Sequence, residues 1–297
     1  MDFKNYKLIE PIAAGAESVL YKARDSERNE FCVKAIRRFR LQHKSLCPLR
    51  EREERYPYRR KKAHLQNEYK VSRSLYADGD ESTVRIYHLR ERKFYGLELG
   101  CDLLMEFLSG YDLGTTFVRT LPLEDKLKFL IQAAEAINNL HKRGYIHLDI
   151  KPPNFILSGD MVKIIDFGTT AIRGWIPGRL VGTPGYMPPE QMLGKEQIDE
   201  ANDVFSFGVA ANEVLGGKRL RQELSESSKR ERKRDAYYSA LSEESPLQCP
   251  KTGKTGIPPE LVTLLRECTI PSKSKRYRSM RPVIAQLREF VQGHQPD

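Results

Sequence analysis

Three short stretches of this chain hold residues whose types and spacing suit one chemistry. In YIHLDIKPPN (residues 145–154) Asp149 is followed by Lys151 two positions on and Asn154 five positions on. In KIIDFG (residues 163–168) Asp166 closes an apolar run and a Phe-Gly pair follows it. In FCVK (residues 31–34) a single lysine, Lys34, sits inside an apolar, β-branched stretch. Transfer of a terminal phosphoryl group asks little covalent help of a protein. It needs positive charge on the phosphates, a metal held by oxygen ligands and an acceptor for the hydroxyl proton. Asn154 and Asp166 are hard oxygen ligands of the kind magnesium takes. Asp149 can orient and deprotonate an attacking hydroxyl, and Lys151 can steady the moving group. Lys34 can grip phosphate if a carboxylate holds it in place.

Secondary structure has to put these residues where they can act. Residues 6–36 read as strands: Tyr6–Ile12, Val19–Ala23 after a small-residue turn, and Glu30–Ile36 around the lone lysine. A basic segment, 37–64, comes next, then a helix near Leu65–Tyr76 and strands at Val84–Arg90 and Asp102–Phe107. From Gly114 the pattern turns helical. Leu127, Leu130, Ile131, Ala134, Ile137 and Leu140 recur at three- and four-residue steps and mark one buried face of a helix ending at Gly144. Strand and turn elements return over 145–167, and helices are predicted at Val204–Leu215, Pro259–Cys268 and Met280–Val291. A strand-rich first third joined to a helix-rich remainder predicts an α+β chain of two lobes with a cleft between them. The polar run Ser225–Asp235 reads as an exposed insertion.

In their order and separations the three stretches resemble the protein-kinase signature set, and from Tyr6 to about Gly293 the chain is similar to a eukaryotic-type Ser/Thr kinase catalytic domain. The resemblance implies a small antiparallel N-lobe with one helix over 1–107, carrying the insertion 37–64, and a larger, mainly helical C-lobe over 108–297. It implies that Asp149 and Lys151 are catalytic and that Asn154 and Asp166 hold magnesium, with manganese as a substitute. ATP would be held by Lys34, by Glu68 in LQNEYKVSRSL as the partner of that lysine, and by Gly15. Ile12, Leu20, Cys32 and Ile156 would line the adenine slot, backbone groups of Glu106 and Leu108 would bond the base, and Asp112 would reach the ribose. GTPGYMPPE (residues 182–190), Asp203 in DVFSFGV and Arg276 in KSKRYRS match the family's activation-segment end, its structural acid and the arginine that pairs with Glu190. Lys151 and Thr183 resemble the Ser/Thr branch, and they disfavour a small-molecule kinase.

Four features depart from the family pattern. In IAAGAESVL only Gly15 of the usual three glycines remains, with Ala13 and Ser18 in the other places. Small residues still let amides approach phosphate, over a narrower dihedral range. Leu148 stands where most members have the arginine that pairs with an activation-segment phosphate, so activity is expected without phosphorylation of Thr169 or Thr170. The insertion lengthens the path from Lys34 to Glu68, which leaves Glu53 and Glu54 as alternatives, and Ser72 replaces an apolar residue one turn beyond Glu68. These departures support a second reading, a pseudokinase scaffold that binds nucleotide and a partner without phosphoryl transfer. Against it, every residue with a direct chemical role is present.

The 297 residues carry a net charge of +10, and between Arg37 and His64 eleven Lys and Arg face three Glu, a net of +8. The excess is therefore a local arm and not a groove. The arm reads first as a solvated, partly helical insertion and second as a docking surface for an acidic partner. Aromatics are sparse there (Phe39, Tyr56, Tyr58), which disfavours nucleic acid. Five scattered cysteines with no CxxC pair argue against a disulfide framework or zinc site and fit a reducing cytoplasm. No apolar run is long enough to span a membrane, and MDFKNYKLIE does not open like a signal peptide.

Overall fold

The computed structural model describes residues 5–15, 18–42, 45–48, 57–77, 79–218, 220, 247–250 and 257–293. Two compact units are present: Met1–Ser109 with Asp166–Gly168, and Gly110–Ile165 with Thr169–Asp297. The division falls after Ser109 and not after residue 107. Asp166–Gly168 belongs with the first unit because Lys34 and Asn67 bond to it.

The first unit is built on a five-stranded antiparallel sheet of order β1-β2-β3-β7-β6. Its strands are β1 (Tyr6–Ala14), β2 (Val19–Asp25), β3 (Glu30–Arg37), β6 (Ile86–Phe94) and β7 (Leu97–Glu106). Phe31, Val33 and Ala35 of β3 pack with Ala23 and Leu104 into a dry cluster, so the apolar run that predicted β3 is buried because the strand is central. Strands β6 and β7 reach farther than predicted, meeting at Tyr95-Gly96, where both residues take positive φ as a two-residue hairpin turn requires. The charged stretch 91–93 hid this extension.

The helix α1 (Tyr58–Tyr76) begins seven residues before the predicted Leu65. Its early turns are held by side chains that periodicity does not read. The Tyr58 hydroxyl donates to Glu98 Oε1 at 2.8 Å, and Lys62 pairs with Glu98 at 2.6 Å and Glu91 at 2.7 Å. Lys62 and Lys93 hold the Glu91 carboxyl down at about 2. Thus the end of the basic segment is helix, and its beginning is a short antiparallel pair, β4 (Phe39–Gln42) with β5 (Ser45–Pro48). Residues 43–44 and 49–56, including Glu53 and Glu54, lie outside the described residues, as does the run Ser225–Asp235.

In the second unit α3 (Leu123–Lys142) buries the predicted stripe of Leu127, Leu130, Ala134, Ile137 and Leu140, while Ile131 is half-buried. Gly144, with φ 76°, follows it. Small strands β8 (Tyr111–Asp112), β10 (Phe155–Ser158) and β11 (Met161–Ile164) form one sheet, and β9 (Tyr145–Ile146) pairs with β12 (Ala171–Ile172). Helices α5 (Glu200–Val214), α6 (Pro259–Cys268) and α7 (Met280–Gly293) stand close to their predicted places. Two five-residue helices, α2 (Thr116–Thr120) and α4 (Pro189–Leu193), are too short to show a period. The helix α5 starts on an Asp199/Asn202 capping box and is buried on nearly every side. Among the described residues no helix is long and apolar enough to cross a membrane.

Candidate active site

Lys34 lies mid-strand in β3, opposite Leu20 on β2 and Leu103 on β7. Its ammonium donates to Glu68 Oε2 at 2.8 Å and to Asp166 Oδ1 at 3.0 Å. Glu68 is the buried member, 1% exposed on α1. Burial raises the Glu68 carboxyl to about 7; the Lys34 charge opposes that and the Asp166 charge adds to it. Burial would likewise depress the Lys34 ammonium, but the two carboxylates outweigh it and hold the lysine above its ordinary range. One turn on, the buried Ser72 hydroxyl donates to the Val84 carbonyl at 3.0 Å, so the polar residue in an apolar place is satisfied.

The other positions expected to meet nucleotide in this unit are strand residues. Cys32 is buried opposite Met105, and burial pushes its thiol up to about 12, which makes it a poor nucleophile at neutral pH. Ile12 is 48% exposed on the edge strand β1, and the Gly15 N–H donates to the Ser18 carbonyl at 2.9 Å. Glu106 ends β7 with its N–H on the Arg85 carbonyl at 2.9 Å, and Leu108 follows two residues later, half-buried.

In the second unit the loop after β9 is hung on one buried carboxylate. Asp203 accepts the His147 N–H at 2.8 Å, the Leu148 N–H at 2.9 Å and a bond with His141 Nε2 at 2.8 Å. This holds Leu148 at φ 67°, a left-handed conformation that side chains avoid, while its side chain packs with Ile146, Val181 and Ile198. Gln191 Nε2 donates to the Leu148 and Val181 carbonyls at 2.7 and 2.8 Å. Gly182, at φ 108°, has no room for a side chain: a Cβ would meet the Leu148 carbonyl at 2.4 Å. His147 Nδ1 accepts the Asp149 N–H at 3.3 Å, which leaves its Nε2–H to donate to Ile165 O at 3.2 Å. Its role is to shape the loop.

Asp149 then meets Lys151 and Thr183 in a closed triangle. Lys151 Nζ donates to Asp149 Oδ2 at 2.7 Å and to Thr183 Oγ1 at 2.8 Å, and the Thr183 hydroxyl donates to Asp149 Oδ1 at 2.6 Å. Asn154, closing a short 3-10 turn, donates its amide to the Asp149 carbonyl at 2.7 Å. Asp112 Oδ1 caps the Gly114 N–H at 2.8 Å, and Ile156 lies opposite Asp112 in the β8–β10 pair. Glu190 and Arg276 form a buried pair at 2.8 Å, with Arg276 also donating to the Ile270, Pro271 and Ala201 carbonyls. The predicted residues thus form two sets, one in each unit: Lys34, Glu68 and Asp166, and Asp149, Lys151 and Asn154. Thr183 joins the second set directly, and Gln191 supports it. The sequence marked the first only as a branch signature and gave no sign of the second.

The Asp203 carboxylate makes the loop sensitive to acid. Burial alone would raise its pKa, but the hydrogen bonds from His141 and the His147 N–H outweigh burial and hold it below the ordinary 3.8. Asp203 therefore stabilises the folded chain in full above about pH 4 and gives that contribution up as the pH falls through that value and below. Asp203→Asn is expected to cost about 2–3 kcal/mol at pH 7 in denaturant unfolding. The gap from the parent should begin to narrow below about pH 4 when the same measurement is taken from pH 5 to pH 3.

Residues 6–286 match the model of the protein kinase domain family, and the chain belongs to that family. Among curated relatives it is 32% identical to a serine/threonine-protein kinase of Corynebacterium efficiens, over 53% of this chain and 31% of that one. It is 35% identical to the serine/threonine-protein kinase PknA of Corynebacterium glutamicum, over 47% of this chain and 31% of that one. A probable serine/threonine-protein kinase of Clostridium acetobutylicum is 28% identical over 72% of this chain and 30% of its own length. The matched stretches cover about a third of each relative.

Proposed function

We propose that the chain is an ATP- and magnesium-dependent protein kinase that phosphorylates serine or threonine hydroxyls. The observation that carries this is the pair of hydrogen bonds that the Lys34 ammonium donates to Glu68 and Asp166. It supplies a cation for phosphate, steadied by a buried acid and set beside the carboxylate expected to bind metal.

Each of the two proposed ligands, Asp166 in one unit and Asn154 in the other, offers the kind of oxygen that magnesium takes. Asp166 keeps 43% of its side chain exposed, and the Asn154 amide nitrogen donates to the Asp149 carbonyl. Magnesium takes one or two such protein oxygens and fills the rest of its shell with phosphate and water. When bound, it would neutralise charge on the phosphate oxygens. The remaining work falls to this chain's side chains. Lys34 binds phosphate oxygens, and Glu68 keeps it from swinging away. The Asp149 carboxylate orients the acceptor hydroxyl and takes its proton, the place Thr183 Oγ1 occupies at 2.6 Å serving as a pattern for that hydroxyl. Lys151, within reach of both, offers charge to the moving phosphoryl.

The reading includes activity without a phosphate on the activation segment. Leu148 offers no charge to receive one, Thr170 is 4% exposed and the Thr169 hydroxyl donates to the His147 carbonyl at 3.2 Å. Main-chain bonds hold the segment instead: Arg173 N–H to Gly144 O at 2.8 Å, Gly174 N–H to Ile198 O at 2.8 Å and Gly178 N–H to Gly194 O at 3.0 Å. The Thr169→Ala/Thr170→Ala protein is expected to keep its initial rate within about fivefold, the loss of one hydroxyl bond being about 1 kcal/mol. A loss beyond about a hundredfold ends this part.

Protein hydroxyls are the proposed acceptors, an acidic partner on the 37–64 arm is the second element, and nucleic acid is disfavoured. Cys32, Cys101, Cys249 and Cys268 are free thiols, which supports a reducing, cytoplasmic setting. Phosphoamino-acid analysis of a generic protein substrate tests the acceptor class. Phosphoserine or phosphothreonine is expected, and phosphotyrosine alone refutes it. ATP binding with no transfer would favour the pseudokinase scaffold.

A further inference from the structure

Asn67, immediately before Glu68 on α1, has no place in the signature motifs. Its side-chain amide donates to two consecutive carbonyls, Phe167 O at 3.0 Å and Gly168 O at 3.3 Å. An amide nitrogen carries two hydrogens, so the two bonds match its donor capacity. His64, Asn67 and Glu68 fall at i, i+3 and i+4, one face of a helix, and all three bear on the same short turn. Glu68 reaches it through Lys34, which it shares with Asp166. His64 reaches it by contact: a Cβ on Gly168 would lie 3.2 Å from the His64 Cβ. The turn needs such support because Asp166 sits at φ 65°, a left-handed conformation that costs a non-glycine residue about 1 kcal/mol or more.

We infer that Asn67 is a positioning residue for Asp166, tying the metal-binding turn to the helix that carries the partner of Lys34. The helix cannot withdraw Glu68 from Lys34 without breaking both Asn67 bonds, so the phosphate-gripping pair and the metal acid move as one element. Tyr58 and Lys62, fixed to Glu98 and Glu91, anchor the same helix at its start. The inference deepens the proposed function and rests on its assignment of metal to Asp166.

The test is calorimetric binding of the non-hydrolysable imido analogue of ATP, with magnesium and with chelator, to the parent, Asn67→Leu, Asn67→Gln and Asp166→Ala. Leucine has the branching and heavy-atom count of asparagine and no donor. Loss of a group that orients a metal ligand costs about 10–100-fold in metal affinity. Asn67→Leu is therefore expected to lose at least about tenfold of the affinity gained from magnesium, to keep its metal-free affinity within about twofold, and to melt within about 4 °C of the parent. Asn67→Gln, which can still donate, should recover most of the loss. Should Asn67→Leu not fold, Asn67→Asp carries the same expectation. A magnesium gain undiminished in these variants, or an equal loss with chelator, overturns the inference while leaving the proposed function standing. A parent with no magnesium gain, or a gain that survives Asp166→Ala, refutes the metal assignment and the inference with it.

Discussion

Asp149→Asn is expected to bind nucleotide within about threefold of the parent and to turn over about a thousandfold more slowly. The carboxylate takes three donors at once, the Lys151 ammonium and, more distantly, the Asn154 amide on one oxygen and the Thr183 hydroxyl on the other. An amide of the same size keeps one acceptor, turns a second donor toward a donor and can no longer receive a proton. General-base contributions of this kind are worth about 10²–10⁴-fold. Lys34, Glu68 and Asp166 belong to the other unit and are untouched, so the binding term should survive. Steady-state turnover together with a nucleotide dissociation constant separates the two terms. Wild-type turnover would mean that Asp149 is not the proton acceptor.

Lys34→Met should lose both terms together. Turnover is expected to fall at least about a thousandfold and nucleotide affinity about tenfold, since the ammonium acts on phosphate in ground and transition states alike. The substitution also removes the cation between two acids. With Lys34 present the Glu68 carboxyl is already raised to about 7, by burial first. Without it the group loses its main opposing charge and rises further, so it is protonated at neutral pH. A folded pKa above the unfolded value gives stability that is present at low pH and lost as the pH rises through the folded pKa. The Lys34→Met protein should therefore lose stability relative to the parent between pH 7 and pH 9, read as a falling melting temperature. A constant difference over that range would show that Glu68 does not carry the proton.

The residues of the candidate site were legible in the sequence where they are neighbours in the chain. Asp149, Lys151 and Asn154 lie within six residues, and Asp166 and Lys34 each stand in an apolar strand pattern. The long helices of the second unit were legible because their buried stripes repeat over several turns. The start of α1 was not, because Tyr58 and Lys62 are held by Glu98 and Glu91, some thirty to forty residues away. The same blindness to distant partners hid Asn67, whose acceptors lie about a hundred residues on. It also made Ser72 look like a flaw, when its hydroxyl in fact meets the Val84 carbonyl. Leu148 shows the reverse case. Its identity bears only on the missing arginine, and the fold adds that the residue is buried and left-handed, suspended from Asp203 and Gln191.

The decisive experiment follows label from the terminal phosphate of ATP onto a generic protein substrate, with magnesium present, for the parent and for Asp166→Ala side by side. Label on serine or threonine that is made by the parent and falls to background in the variant is the predicted result. Equal labelling by the two proteins, or none by a folded, nucleotide-binding parent, would contradict it.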